Sequence, residues 1–322
     1  MSRPARRRRL AGLVCACLLL APLGAAHASR ESPGPALTID VDAARAAIGF
    51  PQDARGKQPI LLVHGTDSST RESWATNYVP ALTQAGYAVF TIDLPFRALV
   101  DIQESSEYVV YALRVIHELT GRRVTVVGHS QGGLEPRWAL EWWPDLRPKV
   151  NEVITLATPH HGTYIANLYC ASPCPPADWQ MEVGSNFLSA LNRGDETPGR
   201  IDYTSIFSLT DELVQPQIPA STSAIEGASN VLVQNVCPGR PVNHVGMLRD
   251  PVVYALVLDA LQHRGPARPE RVGLATCAQA TIPGVDPIDA LDPEIQYWSG
   301  FTRTSAVPPT DSEPPLRDYA RS

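Results

Sequence analysis

Gly128-His129-Ser130-Gln131-Gly132-Gly133 decides how this 322-residue chain is read. The stretch follows a β-branched apolar run, Val124-Thr125-Val126-Val127, and leads into a helical pattern that starts at Leu134. A serine set between glycines where a strand turns sharply into a helix is a nucleophile elbow. The turn lifts the hydroxyl off the C-terminal edge of a sheet, and it is too tight for side chains at the flanking positions. The bare pattern arises by chance in roughly one chain of this length in ten. Strand before and helix after make the reading specific, and it then demands partner residues elsewhere.

Outward from the elbow, strands and helices alternate. Pro59-Ile60-Leu61-Leu62-Val63 is a continuous apolar run ending at His64-Gly65, as a buried parallel strand would. A helix is expected over 77–84 with Gly86 as its stop, and a strand over 87–92. Val109, Leu113, Ile116 and Leu119 mark a helix over 104–119 that stops at Gly121. Further strands are expected over 150–156, 205–209 and 231–236, and the last helix over 251–263. The region 164–181, rich in Pro, Cys and Trp, reads as a loop or short-helix excursion. The pattern predicts an α/β fold with a mostly parallel central sheet and helices on both faces.

The first 28 residues read as a signal peptide. Arg6 to Arg9 are basic, residues 10–21 are apolar, and Ala26-His27-Ala28 offers a small-x-small cleavage site. The apolar run is too short to span a membrane stably. A lipid anchor on Cys17 is a weaker alternative, and the arginines suit either general or twin-arginine export. Loss of this segment removes five arginines and no acid, so the formal charge falls from −6 to −11. So acidic a chain is a poor partner for nucleic acid or anionic lipid. Residues 29–322 are expected to form one domain, with a surface arm over 29–58 and a Pro-rich wrap from about 281 to 322. Four cysteines remain outside the leader, and local pairing predicts Cys170–Cys174 and Cys237–Cys277. Their spacing does not suit zinc, and no metal or cofactor is expected.

A serine hydroxyl needs a histidine base held by a carboxylate. Among Asp145, Asp178, Asp195, Asp202 and Asp211, the last sits just past the end of a strand, where open α/β sheets carry functional groups. Glu212 is the second choice. His244, in a loop after the 231–236 strand, is the base, while His263, His117 and His161 are read as structural or surface residues. Oxyanion donors are expected at the Gln131 N–H and at Thr66, in the loop after the first strand.

These residues resemble the Candida antarctica lipase B-like family and its secreted bacterial relatives, within the α/β-hydrolase superfamily. The likeness is carried by Pro59 to Thr66, Ser130-Gln131-Gly132-Gly133-Leu134, and Thr210-Asp211-Glu212-Leu213-Val214-Gln215-Pro216-Gln217. Asn243-His244-Val245-Gly246 and the late run from Glu313 to Arg321 add to it. The resemblance implies Ser130 as nucleophile, Asp211 and His244 as its partners, Thr66 and Gln131 as oxyanion donors, and a Cys237–Cys277 bridge. It implies a secreted, monomeric lipase or esterase acting on carboxylic esters such as triacylglycerols at an oil–water interface. A short-chain carboxylesterase, a polyester hydrolase or an acyltransferase would use the same triad, and a non-enzymatic binding protein would share only the fold. His129 stands where the yeast lipase has a tryptophan in its alcohol pocket, and Phe90 and Ser312 replace two of its cysteines. His129 and His160 are taken as substrate-pocket residues, and the Cys170–Cys174 segment as the place for a lid.

Overall fold

The computed structural model describes Met1, residues 32–300 and residues 307–321. The expected signal peptide, apart from Met1, and its cleavage site lie outside the described residues. Seven strands form one sheet: β1 (Ile48–Gly49), β2 (Pro59–Val63), β3 (Ala88–Ile92), β4 (Val124–His129), β5 (Val150–Leu156), β6 (Asp202–Phe207) and β7 (Ser229–Leu232). Their order is β1-β3-β2-β4-β5-β6-β7, parallel throughout except for β1, which pairs antiparallel with β3. The helices, in chain order, are α1 (Val41–Ala46), α2 (Thr70–Trp74), α3 (Tyr78–Gln84), α4 (Ile102–Thr120), α5 (Leu134–Trp142) and α6 (Tyr164–Tyr169). There follow α7 (Pro176–Gln180), α8 (Asn186–Leu191), α9 (Val233–Val236), α10 (Pro251–Gln262) and α11 (Asp292–Gly300).

The continuous apolar runs of β2, β3 and β4 are explained by burial on both faces. Leu61, Val63, Phe90 and Val126 pack with Val109 and Leu113 of α4, Trp138 of α5 and Phe187 of α8. Their alternates Ile60, Leu62, Val89 and Val127 pack with Trp74 of α2, Leu82 of α3 and Val253 and Leu256 of α10. Asp101 caps α4 by accepting from the Gln103 N–H, and Gly121 ends it in the left-handed region at φ 64°. Pro251 sits in the first turn of α10 behind the Asp250 cap.

One expected strand ends early, and three other regions carry elements of their own. The arm is structured: Asp40 caps α1, and β1 then extends the sheet at its edge. The 231–236 run ends as a strand at Leu232 and coils into α9, whose Gln234 side chain reaches back to the Leu209 N–H and the Ser208 hydroxyl. The 164–181 excursion takes its short-helix form as α6 and α7, and α11 follows α10. In the tail, Glu313 receives the Asn186 and Phe187 N–H groups at the start of α8, and Tyr319 packs among Trp138, Trp142 and Trp143.

Candidate active site

Register brings the C-terminal ends of the central strands level. Val63 faces Gly128, His129 faces Leu156, and Leu156 faces Ile206. The loops leaving that edge carry every residue singled out above for acyl chemistry. At the elbow Ser130 holds φ 56°, a left-handed conformation that is strained for a side-chain-bearing residue. Packing supplies the counterforce. A Cβ on Gly128 would stand 2.1 Å from the Gly132 carbonyl oxygen, and one on Gly132 would stand 2.4 Å from the His64 carbonyl oxygen. The glycines are therefore required by close approach, and the serine itself takes up the unusual torsion.

The acid and base loops are laced together by Thr210. Its hydroxyl donates to the Val242 carbonyl (2.9 Å) and accepts from the Val242 N–H (2.8 Å). One residue past Thr210 and two past Val242, Asp211 meets the His244 ring: Nδ1 lies 3.1 and 3.0 Å from the two carboxylate oxygens. Asp211 Oδ1 also accepts from the Leu213 and Val214 N–H groups, both at 2.9 Å. Burial pushes the Asp211 carboxyl up, but the His244 charge and these hydrogen bonds bring it net below the usual range. For His244 burial favours the neutral ring, and Asp211 outweighs it, so the pKa rises above 6.5. Glu212, the second choice, accepts from the His244 backbone N–H at 3.0 Å instead and does not touch the ring.

Thr66 and Gln131 are also brought together. The Thr66 hydroxyl donates to Gln131 Oε1 (2.6 Å), and Gln131 Nε2 donates to Glu135 Oε1 (2.9 Å). Burial raises the Glu135 carboxyl to about 8, so it is neutral below that pH and holds the amide without a full charge. Gln131 lies in the first turn of a helix, where backbone N–H groups have no partner within the helix. Below this turn, the Leu94 N–H donates to His64 Nε2 (2.9 Å), which leaves Nδ1–H to donate to the Gly65 carbonyl (2.8 Å). Glu135 and the His64 brace were not singled out from sequence. No pattern marks a residue whose role is to hold another.

Ser130 and His244 line one cavity of about 320 Å³ together with Thr66, His129, Asp178 and Met181. Ser130 Oγ makes no hydrogen bond among the described residues, so the link to the base is not closed in this resting geometry. His129 Nε2 lies 3.0 Å from the His244 carbonyl oxygen; that oxygen only accepts, so this nitrogen carries the proton. Burial first, then the His244 charge, drive the His129 pKa down to about 3. His160 does not line the cavity, contrary to expectation. It lies fully buried between Thr155 Oγ1 (2.9 Å) and the Arg137 guanidinium (3.3 Å), which claim both ring nitrogens. His161 pairs with Glu196, and His263 turns back onto the Asp259 carbonyl. Both disulfides, Cys170–Cys174 and Cys237–Cys277, are formed. Among the described residues no group of three or more His, Cys, Asp or Glu is placed to hold a metal ion.

Residues 60–285 match the model of the alpha/beta hydrolase family. The chain is 30% identical to Lipase B of Pseudozyma antarctica over 320 residues, which cover 97% of this chain and 93% of that one. It is 27% identical over 173 residues to a triacylglycerol lipase of Burkholderia plantarii, covering 52% of this chain and 45% of that enzyme. The structure superposes on Aspergillus fumigatus lipase B with a TM-score of 0.84 and 31% identity, over 94% of this chain and 77% of that one.

Proposed function

The chain belongs to the alpha/beta hydrolase family and has its fold, and from that premise we propose that it is a secreted serine ester hydrolase of the lipase type. The observation that carries the reading is the Asp211–His244 pair, which opens onto the same cavity as a serine held at φ 56°. In this mechanism Ser130 Oγ attacks the ester carbonyl while His244 takes its proton. The carbonyl electron pair moves onto oxygen, where the Gln131 N–H and Thr66 donate to it. Collapse breaks the bond to the alcohol, which leaves with the proton from His244. Water then attacks the acyl-enzyme by the same steps and frees the acid and Ser130.

Relatives named lipase and triacylglycerol lipase support a lipid ester as substrate. So does the cavity rim: α6 exposes Tyr164, Ile165, Leu168 and Tyr169, with Leu168 at 74%. Such an apolar rim suits a substrate presented at an oil–water interface. Secretion is supported by the basic-apolar leader and by the pairing of all four remaining cysteines. Among the described residues no helix is long and apolar enough to cross a membrane. The test is hydrolysis of p-nitrophenyl esters of rising chain length, in parent and Ser130→Ala, with intact-mass detection of a phosphonate adduct. The parent should be active and labelled once, and the variant should be unlabelled with kcat lower by about 10⁴-fold or more. An inactive parent, or a variant that keeps full activity, sinks the serine mechanism.

A further inference from the structure

Asp178 is the one carboxylate among the cavity-lining residues that has no use in the chemistry above and no internal partner. It projects from α7 into the cavity that holds Ser130 and His244. Its carboxylate makes no hydrogen bond or ion pair among the described residues, whereas the other two acids of the wall are engaged: Arg97 binds Asp67 at 2.7 Å and Glu72 at 2.7 Å. Around Asp178 the wall is formed by Leu99, Ala166, Tyr169, Pro175 and Met181. Asp178 is half-buried, so its unpaired carboxyl stays open to the cavity, where a ligand can reach it.

The position of Asp178 says which part of a substrate it meets. His244 must return its proton to the leaving alcohol, so the alcohol lies on the side of His129, His244, Val245 and Leu248. The α6–α7 segment contributes Ile165, Ala166, Tyr169, Pro175 and Met181 to the wall, and the Met181 sulfur lies 3.8 Å from the Thr66 hydroxyl. That segment is the wall we assign to the acyl chain.

On the reading of the protein as an ester hydrolase, we propose that Asp178 is a polar subsite in the acyl pocket and that the enzyme acts on esters of hydroxylated acids. Burial, with the Asp67 charge added, raises the Asp178 carboxyl to about 7. Near neutrality it is thus present substantially as the acid, whose O–H donates and whose carbonyl accepts. A hydroxyl does the same and satisfies both atoms, while an ammonium would require the anion. The subsite also fits an α/β wall that is otherwise apolar, since one hydroxyl is accommodated without wetting the rest.

The test compares methyl esters of ω-hydroxyhexanoic, ω-hydroxyoctanoic and ω-hydroxydecanoic acids with those of the matching alkanoic acids, by kcat/KM, in parent, Asp178→Val and Asp178→Asn. For the chain length whose hydroxyl reaches the subsite, the hydroxy-to-plain ratio should fall about tenfold in Asp178→Val. It should be largely kept in Asp178→Asn, while plain esters are hydrolysed at least as well by both variants. An unchanged ratio in Asp178→Val at every length overturns the subsite, and a higher ratio for ω-amino esters than for ω-hydroxy esters overturns the hydroxyl assignment. If Asp178→Val does not fold, the parent and Asp178→Asn decide: no chain length at which either favours the hydroxy ester also overturns it. A parent that hydrolyses no plain ester defeats the ester-hydrolase reading itself, which separates that failure from this one.

Discussion

Two regions meet at the cavity, and their aspartates show how they differ. At the sheet edge, Asp211 is held by the His244 ring and two backbone N–H groups, and its carboxyl is depressed despite burial. On the α6–α7 wall, Asp178 has no partner, and burial drives its carboxyl up to about 7. The same residue type is spent in one place and unspent in the other. The edge is built to fix groups relative to one another, so Asp211 and the His244 ring are held from within the fold. The wall is built to meet something else, so one of its polar groups is left open.

The sharpest way to break this contrast is Asp211→Asn. The variant keeps the shape of the loop but removes the charge that holds His244 up, and kcat should fall by about 10⁴-fold. The pH dependence supplies the sign. In the parent the neutral base forms only as pH rises through a His244 pKa above 6.5, so the acid limb of kcat/KM lies above that value. Without the Asp211 charge, burial outweighs the smaller pull of Glu212 and the limb should move below 6.5. Glu212→Gln should keep most of the activity, because Glu212 meets the backbone of His244 and not its ring. A larger loss at Glu212 would reverse the assignment.

Within the edge, Thr66→Val is expected to lower kcat by about 10²-fold with little change in KM, because the hydroxyl turns from Gln131 Oε1 to the oxyanion as charge develops there. Gln131→Ala should cost less, since the Gln131 backbone N–H survives, and the loss should show as a looser Thr66. Steady-state kinetics on one soluble ester measures both. A rise in KM with kcat unchanged would assign Thr66 to ground-state binding.

How legible each region was in the sequence follows from the same contrast. The edge is generated by a repeating unit, in which an apolar strand ends and a turn carries a chemical group. Ser130, Asp211 and His244 could therefore be picked from order and placement alone. The α6–α7 wall has no period of its own. Its place is set by the Cys174–Thr310 backbone pairing and by Gln180, which bonds the Ile102 N–H at the start of α4. Contacts across 136 and 78 positions leave no local signal. His160 misled for the related reason that its partner Arg137 comes from α5, and a buried guanidinium cannot be anticipated from the Thr-Pro-His-His-Gly run. The split of 231–236 into β7 and α9 is likewise decided by Gln234 reaching the Ser208 loop, while its β-branched residues suit a strand throughout.

The smallest expected effect tests whether the wall is independent of the edge. Removing the Cys170–Cys174 bridge with Cys170→Ser/Cys174→Ser should cost about 2 kcal/mol, against about 4 kcal/mol for the longer Cys237–Cys277 loop. Denaturant unfolding measures both. Cys170 ends α6, and Cys174 exchanges backbone hydrogen bonds with Thr310 at 3.2 and 2.8 Å. Trp179 adds a third bond from the wall to Thr310 at 3.1 Å, so α7 stays anchored when the bridge is lost and α6 gains freedom. Hydrolysis of a short soluble ester should be unchanged, and so should the acid limb, because Asp211 and His244 take no support from this loop. Preference among long acyl chains should shift, since Ala166 and Tyr169 of α6 line their path. A loss on the short ester as large as that on the long ones would mean that the wall positions the chemistry as well, and the division between a completed edge and an open wall would fail.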